Sequence, residues 1–216
     1  KLLMCNFNFF TASMLSYCWH ISIVTYNIRE SKMVKFNLED LDIGKNAPDI
    51  VNCIIEIPKD TNAKIEYDPD LRIFKLDRFL ISSMRYPLSY GFIPQTIGED
   101  DDPLDIVVYG SQPVPTGIVV ECRIIGGLNM EDKGVKDYKL MAVPLSIEKE
   151  LDDITKIEHN LLNITKDFFR NYKNMHGKRV LVKNWFGKSR AQKIINTGHI
   201  KYLNENKYEA SELTIQ

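Results

Sequence analysis

From residue 50 to residue 145 the apolar positions alternate with polar ones or gather in short β-branched runs, and after that the period lengthens to that of a helix. "IVNCIIEIP", residues 50–58, reads as a strand closed by Pro58. "AKIEYDPDLRIFKLDRF", residues 63–79, reads as a hairpin folded at Asp68-Pro69-Asp70. "LDIVVYG", "GIVVECRIIGG" and "YKLMAVPL" are three further strands, parted by proline and glycine punctuation. Short strands at this spacing predict a closed or nearly closed barrel. Beyond residue 145, Ile157, Leu161, Leu162, Ile164, Phe168, Phe169 and Tyr172 fit one face of a helix, with Gly177 placed to stop it. "RVLVKNWFG" returns as a last strand and "SRAQKIINTGHIKYL" as a closing helix. The pattern therefore predicts one α+β domain over residues 33–205, followed by a polar tail, 206–216, that frays.

Residues 1–32 do not share this pattern. "KLLMCNFNFFTASMLSYCWHISIVTYNI" is apolar and aromatic, but Asn, Thr and Ser break it every few residues. A spanning helix wants about 20 mostly apolar residues, so a membrane role is not expected. Two readings stand: upstream sequence translated by mistake, since position 1 is Lys and Met33 opens a polar lead, or a targeting segment without acidic residues.

The bulk numbers narrow the chemistry. A length of 216 residues, 44% hydrophobic and 26% charged, suits one globular domain with a tail. A formal net charge of −1 gives no global attraction to nucleic acid or anionic membranes, and neither is expected as a partner. The 4 cysteines form no CxxC pair, which fits free thiols in a reducing, cytoplasmic setting. The 4 histidines are scattered, so a metal site here would be built from oxygen ligands.

Strand alternation also puts charges on apolar faces. Arg78 shares a face with Phe74 and Leu76, Lys139 with Met141 and Val143, and Glu56 with Ile54; Lys64 and Glu66 alternate against Ile65 and Tyr67. Each alone reads as a snorkelling surface residue. Together they ask for counter-charges, because buried charges must be paired. "GEDDDPLDIV", residues 98–107, places five acidic side chains within eight positions and is the obvious counterpart. Asp102 and Asp105 can converge across Pro103 while Asp101 points away, and Asp132 and Asp137 bracket a second acidic turn, "EDKGVKD". An EF-hand loop is a poor match, because its glycine position is occupied by Asp105. Mg²⁺ or Mn²⁺ takes one or two carboxylates per ion and keeps water or phosphate oxygens for the rest. Tyr86 and Tyr90 read either as core filling or as phenols donating to an anion, and Tyr172 with Lys173 offers a similar pair.

These residues resemble the family I soluble inorganic pyrophosphatases, and the bacterial-type branch most closely. "DDDPLDI" at 100–106 carries the likeness, joined by "IEIP" at 55–58, Lys64 with Glu66, "DRF" at 77–79, "YPLSYGFIP" at 86–94, Asp132, Asp137 and Lys139, and "YK" at 172–173. The resemblance implies a five-stranded OB-like β-barrel flanked by helices. It implies Mg²⁺-dependent hydrolysis of pyrophosphate to two orthophosphates by a metal-activated water, with several ions and Mn²⁺ as a substitute. Asp102 would be the general base. Asp100, Asp105, Asp132 and Asp137 would be metal ligands, with Glu56, Glu66 and Tyr86 in support. Lys64, Arg78, Tyr90, Lys139, Tyr172 and Lys173 would bind the phosphates. A homo-oligomer, with a hexamer as the expected assembly, is implied as well. Two departures stand out: Lys133 where the family often carries an acidic residue, and Asp167 and Asn171 where hexameric members often carry histidine. The alternatives are a metal-dependent phosphoesterase with another substrate and a non-catalytic OB-type binding module.

Overall fold

The computed structural model describes residues 37–81, 83–146, 150–173 and 180–212, with side chains described as far as residue 206. The expectations for residues 1–32, for Gly177 and for the end of the tail lie outside that range. The strands in chain order are β1 (Ile50–Ile57), β2 (Ala63–Asp68), β3 (Ile73–Phe79), β4 (Ser89–Ile93), β5 (Leu104–Val108), β6 (Val119–Asp132), β7 (Val135–Lys136), β8 (Lys139–Pro144) and β9 (Val180–Gly187). The helices are α1 (His159–Asn171) and α2 (Lys188–Glu212).

β1, β4, β5, β8 and β6 form a closed circuit, because β6 also pairs with β1. All pairings around it are antiparallel except β5 with β8, which run parallel. A closed barrel leaves few free edges, and here β7 and β9 extend the rim of β6. The β2–β3 hairpin stands apart as a two-stranded sheet. Its turn is built by Asp68, whose Oδ1 accepts from Leu71 N at 2.9 Å and whose carbonyl accepts from Arg72 N at 2.7 Å.

β8 shows why the barrel strands read as continuous apolar runs: every one of its residues is buried. Leu140 and Ala142 pack on one side with Cys53, Ile106, Cys122 and Ile195 of α2. Met141 and Val143 pack on the other with Leu162, Phe168 and Phe169 of α1. α1 buries Leu162, Thr165, Phe168 and Phe169, the i, i+3 stripe expected of an amphipathic helix.

One strand escapes the sequence pattern: "SYGFI", between Pro87 and Pro94, is the barrel strand β4. Two expectations need correction. β6 does not stop at Gly126-Gly127 but continues to Asp132. α2 runs to Glu212, into the segment read as a fraying tail.

Candidate active site

One end of the barrel opens into a cavity of about 560 Å³. Three pieces of structure bring charge to it. β5 and β8, paired in parallel, supply Asp105 and Lys139 at the ends of neighbouring strands. The end of β6 and its turn into β7 supply Asp132 and Lys133, the link from β7 to β8 supplies Asp137, and the β2–β3 hairpin supplies Lys64 and Glu66. That β6–β7 turn has two residues, Lys133 and Gly134, both at positive φ (52° and 86°), as a type I′ hairpin requires.

Lys139 organises the inner wall. It is 2% exposed, and its ammonium contacts both Asp105 and Asp137 and donates to Tyr90 Oη at 3.3 Å. Burial opposes its charge, but the two carboxylates outweigh that and raise its pKa. Burial also raises Asp137, helped by repulsion from Asp105 and opposed by Lys139. The Tyr90 phenol is raised by burial and then by Asp105 and Asp137, so it stays a proton donor. Deeper still, Glu56 accepts from Tyr67 N at 2.7 Å, and burial lifts its carboxyl to about 8.

The outer wall is the acidic loop. Asp100 and Asp102 face the cavity. Both carboxyls are raised, first by desolvation, then by Asp137 for Asp100 and by Asp100 and Glu66 for Asp102. Asp101 turns outward, 84% exposed, as the spacing around Pro103 predicts. Across the cavity Lys173 donates to Asp132 at 2.7 Å; this overcomes the desolvation of that carboxyl and lowers its pKa.

Twelve of the fourteen residues singled out from sequence line this cavity; Arg78 and Tyr86 do not. Tyr86 is core: it is 2% exposed, with its ring 4.7 Å from Phe168 and 5.9 Å from Tyr90. The phenol-to-anion reading therefore does not describe its position. The hairpin cations do not pair with the acidic loop either. Lys64 donates to Asp77 at 3.1 Å and contacts Glu66, and Arg78 contacts the same Asp77 carboxylate. Asp77 was not singled out, though it stands in "DRF" between the residues it joins. Arg78 Nε is buried with no protein partner. Lys133 is exposed at its turn and reaches the cavity rim. On the far side of α1, Asn171 donates to the Asp167 carbonyl at 2.9 Å and carboxylate at 3.0 Å, a pair fixed along one helix.

The family model of inorganic pyrophosphatase matches residues 53–203, most of the chain. The chain belongs to the inorganic pyrophosphatase family. The inorganic pyrophosphatase of Aquifex pyrophilus is 41% identical over 172 residues, which is 76% of this chain and 96% of that protein. That of Geobacillus stearothermophilus is 42% identical over 162 residues, 73% of this chain and 96% of its own. The crystal structure of the inorganic pyrophosphatase from Thermus thermophilus superposes with a TM-score of 0.75 at 37% identity, covering 77% of this chain and 99% of that one. The OB-like α+β barrel expected from the resemblance is the fold observed.

Does a pyrophosphatase cavity of this composition suit a divalent cation? Among the described residues no three carboxylate, imidazole or thiol groups close into a cage as placed. The ammonium of Lys139 lies between Asp105 and Asp137 instead. The donor set nevertheless fits a hard cation. It is oxygen only. Asp100, Asp102 and Asp137 are all raised in part by repulsion from neighbouring carboxylates. Asp132 Oδ1 is buried without a hydrogen-bond partner. Among the described residues no helix is long and apolar enough to cross a membrane.

Proposed function

We propose that this protein hydrolyses inorganic pyrophosphate to two orthophosphates in a Mg²⁺-dependent reaction, with Asp102 as the general base. The observation that carries the reading is the cavity itself: carboxylates on one side and Lys64, Lys139 and Lys173 around them, all facing one space. A dense polyanion and cations can share such a space; either alone is repelled by half of it.

Asp100, Asp105, Asp132 and Asp137 would hold the ions, with Glu56 and Glu66 behind them. Mg²⁺, when bound there, supplies Lewis acidity that makes water a better nucleophile and offsets phosphate charge; Mn²⁺ can substitute. Asp102 takes the proton of the attacking water. Its raised pKa, from desolvation and then from Asp100 and Glu66, makes it a stronger acceptor than an ordinary aspartate. Lys64, Lys139 and Lys173 place positive charge where the phosphates would lie, while Arg78, which does not line the cavity, neutralises the Asp77 carboxylate beside Lys64. Tyr90 and Tyr172 present phenol donors, and Tyr90 is held protonated by burial. Fixed charge of this kind lowers the barrier of phosphoryl transfer without reorganisation during the step.

The test is phosphate release from pyrophosphate in Mg²⁺ and in EDTA, with ATP in parallel. Fast Mg²⁺-dependent release from pyrophosphate alone is the expected result. Equal release from ATP would favour the phosphoesterase. No release from folded protein would leave a binding module. For assembly, we infer a homo-oligomer: the hairpin exposes Leu71, Ile73, Leu76 and Phe79, with Leu76 and Phe79 on one face, large apolar side chains that a contact between copies would cover. Sedimentation at micromolar concentration tests it.

A further inference from the structure

Asp100 and Asp102 do not sit on a strand. They belong to the loop between β4 and β5, and that loop has space on both sides. The catalytic cavity lies in front of it, and a second cavity of about 410 Å³ lies behind, between the loop and α2. Side-chain packing therefore holds it poorly. The root of the loop is well tied, with Gln95 bonded to Glu39, Asp40, Ile43 and His199 and Thr96 bonded to Ile93 and Leu104, but the tip, residues 98–102, has few polar ties. Gly98 N donates to Asp102 O at 2.7 Å within the loop, and Ile97 N reaches the Gly198 carbonyl of α2 at 3.1 Å. Lys136 pairs with Glu99 at 2.7 Å and so holds the loop at one point, before Asp100.

At the tip, the remaining tie to another element is Lys201 of α2. Its ammonium donates to the Gly98 carbonyl at 2.9 Å and to Asp101 Oδ1 at 2.5 Å. It thereby grips the loop at two points, on either side of Asp100. Asp101 has φ 67°, the left-handed region that a non-glycine residue enters at a cost of about 1 kcal/mol. With Asp101 in that conformation the backbone reverses between two neighbours: Asp100 and Asp102 face the cavity while Asp101 faces α2. An extended Asp101 would change the direction of both carboxylates.

We infer that Lys201 is a positioning residue: by holding Asp101 in the left-handed conformation and clamping Gly98, it aims Asp100 and Asp102 into the cavity and so sets the protein's affinity for Mg²⁺. Lys201 does not line the front cavity and touches no reacting group. Its effect reaches the ion only through the loop backbone, because its partners, Asp101 and the Gly98 carbonyl, are not among the proposed ligands. The inference rests on the Mg²⁺ reading given above.

The experiment is Mg²⁺ binding by calorimetry, without pyrophosphate, on the full chain and three variants. In Lys201→Met the half-saturating Mg²⁺ concentration is expected to rise roughly fivefold, the upper worth of an exposed ion pair. Lys201→Arg, which keeps the charge, should retain most of the affinity. Lys201→Met combined with Asp101→Gly should recover to within about 1.5-fold of the unsubstituted chain, because glycine adopts positive φ freely. Unchanged Mg²⁺ binding in Lys201→Met overturns the inference. So does a loss that Asp101→Gly fails to repair, since Lys201 would then act by some route other than the loop. If the unsubstituted chain binds no Mg²⁺, the metal reading itself fails, a result distinct from either.

Discussion

Lys139 and Lys64 serve the same cavity from opposite kinds of structure. Lys139 stands on a barrel strand, 2% exposed, between two carboxylates that its ladder neighbours hold in place. Lys64 stands on a hairpin outside the barrel, its side chain 19% exposed and paired with Asp77 and the half-exposed Glu66. The inner wall is thus fixed by the same hydrogen bonds that make the fold. The hairpin and the acidic loop are fixed by individual polar contacts. Charge on the inner wall is tied to stability; charge on the outer wall is freer to serve turnover.

The comparison can be broken in four ways. Asp102→Asn, on the loop, should lower kcat by about 10²–10⁴, the usual worth of general acid–base catalysis, while the melting temperature in EDTA hardly falls. Steady-state kinetics beside thermal denaturation check it, and an unchanged kcat removes Asp102 from the chemistry. Lys139→Met, on the inner wall, should do the reverse at the level of the fold. It leaves Asp105 and Asp137 without their cation and should cost about 3–5 kcal/mol of stability in EDTA, part of which Mg²⁺ restores. Urea titrations with and without Mg²⁺ measure that difference.

Glu56→Gln probes the inner wall through pH. Burial raises the folded pKa to about 8 from an ordinary 4.5. The folded state therefore holds the proton more tightly. That contribution to stability is complete below about pH 4.5 and is lost as pH rises towards 8. The glutamine variant lacks the loss, so its melting temperature should exceed that of the unsubstituted chain at pH 9 and not at pH 4. Equal pH profiles would show that Glu56 is not protonated in the fold. The smallest effect is expected at Lys64→Met. A half-exposed pair contributes up to about 1 kcal/mol, so stability should barely move while KM for pyrophosphate rises.

The same division decides what the sequence could reveal. The barrel strands were legible because burial on both faces leaves β-branched runs, as in "IVNCIIEI" and "LDIVV". β4 was hidden because Pro87 and Pro94 punctuate a strand whose own residues include glycine and serine. The Gly126-Gly127 pair reads as a break but is a packing device. A Cβ on Gly126 would meet the Phe186 carbonyl at 2.5 Å, and one on Gly127 the Phe186 ring at 2.6 Å, so β9 can lie against β6 only where both are bare. In the site, the pattern of charges on apolar faces located Lys139 and Glu56 correctly as buried. It misjudged the partners of Lys64 and Arg78, because a bulge between Lys64 and Ile65 shifts the hairpin register and brings Asp77 to both. Tie points such as Lys201 leave no local pattern: Lys201 and Asp101 are 100 residues apart.

The lone parallel pairing, β5 with β8, carries a consequence for how the chain folds. It sets Asp105 beside Lys139 across a separation of 34 residues, with all of β6 between them in the chain. Hairpins elsewhere close early because their strands are neighbours in sequence; this pair must wait for a long loop to close. A chain caught before that step would carry a crowd of mutually repelling carboxylates with no ammonium among them. Neutralisation of the site is then tied to long-range assembly of the barrel, and the pairing of β5 with β8 is the step that makes the cavity electrically tolerable.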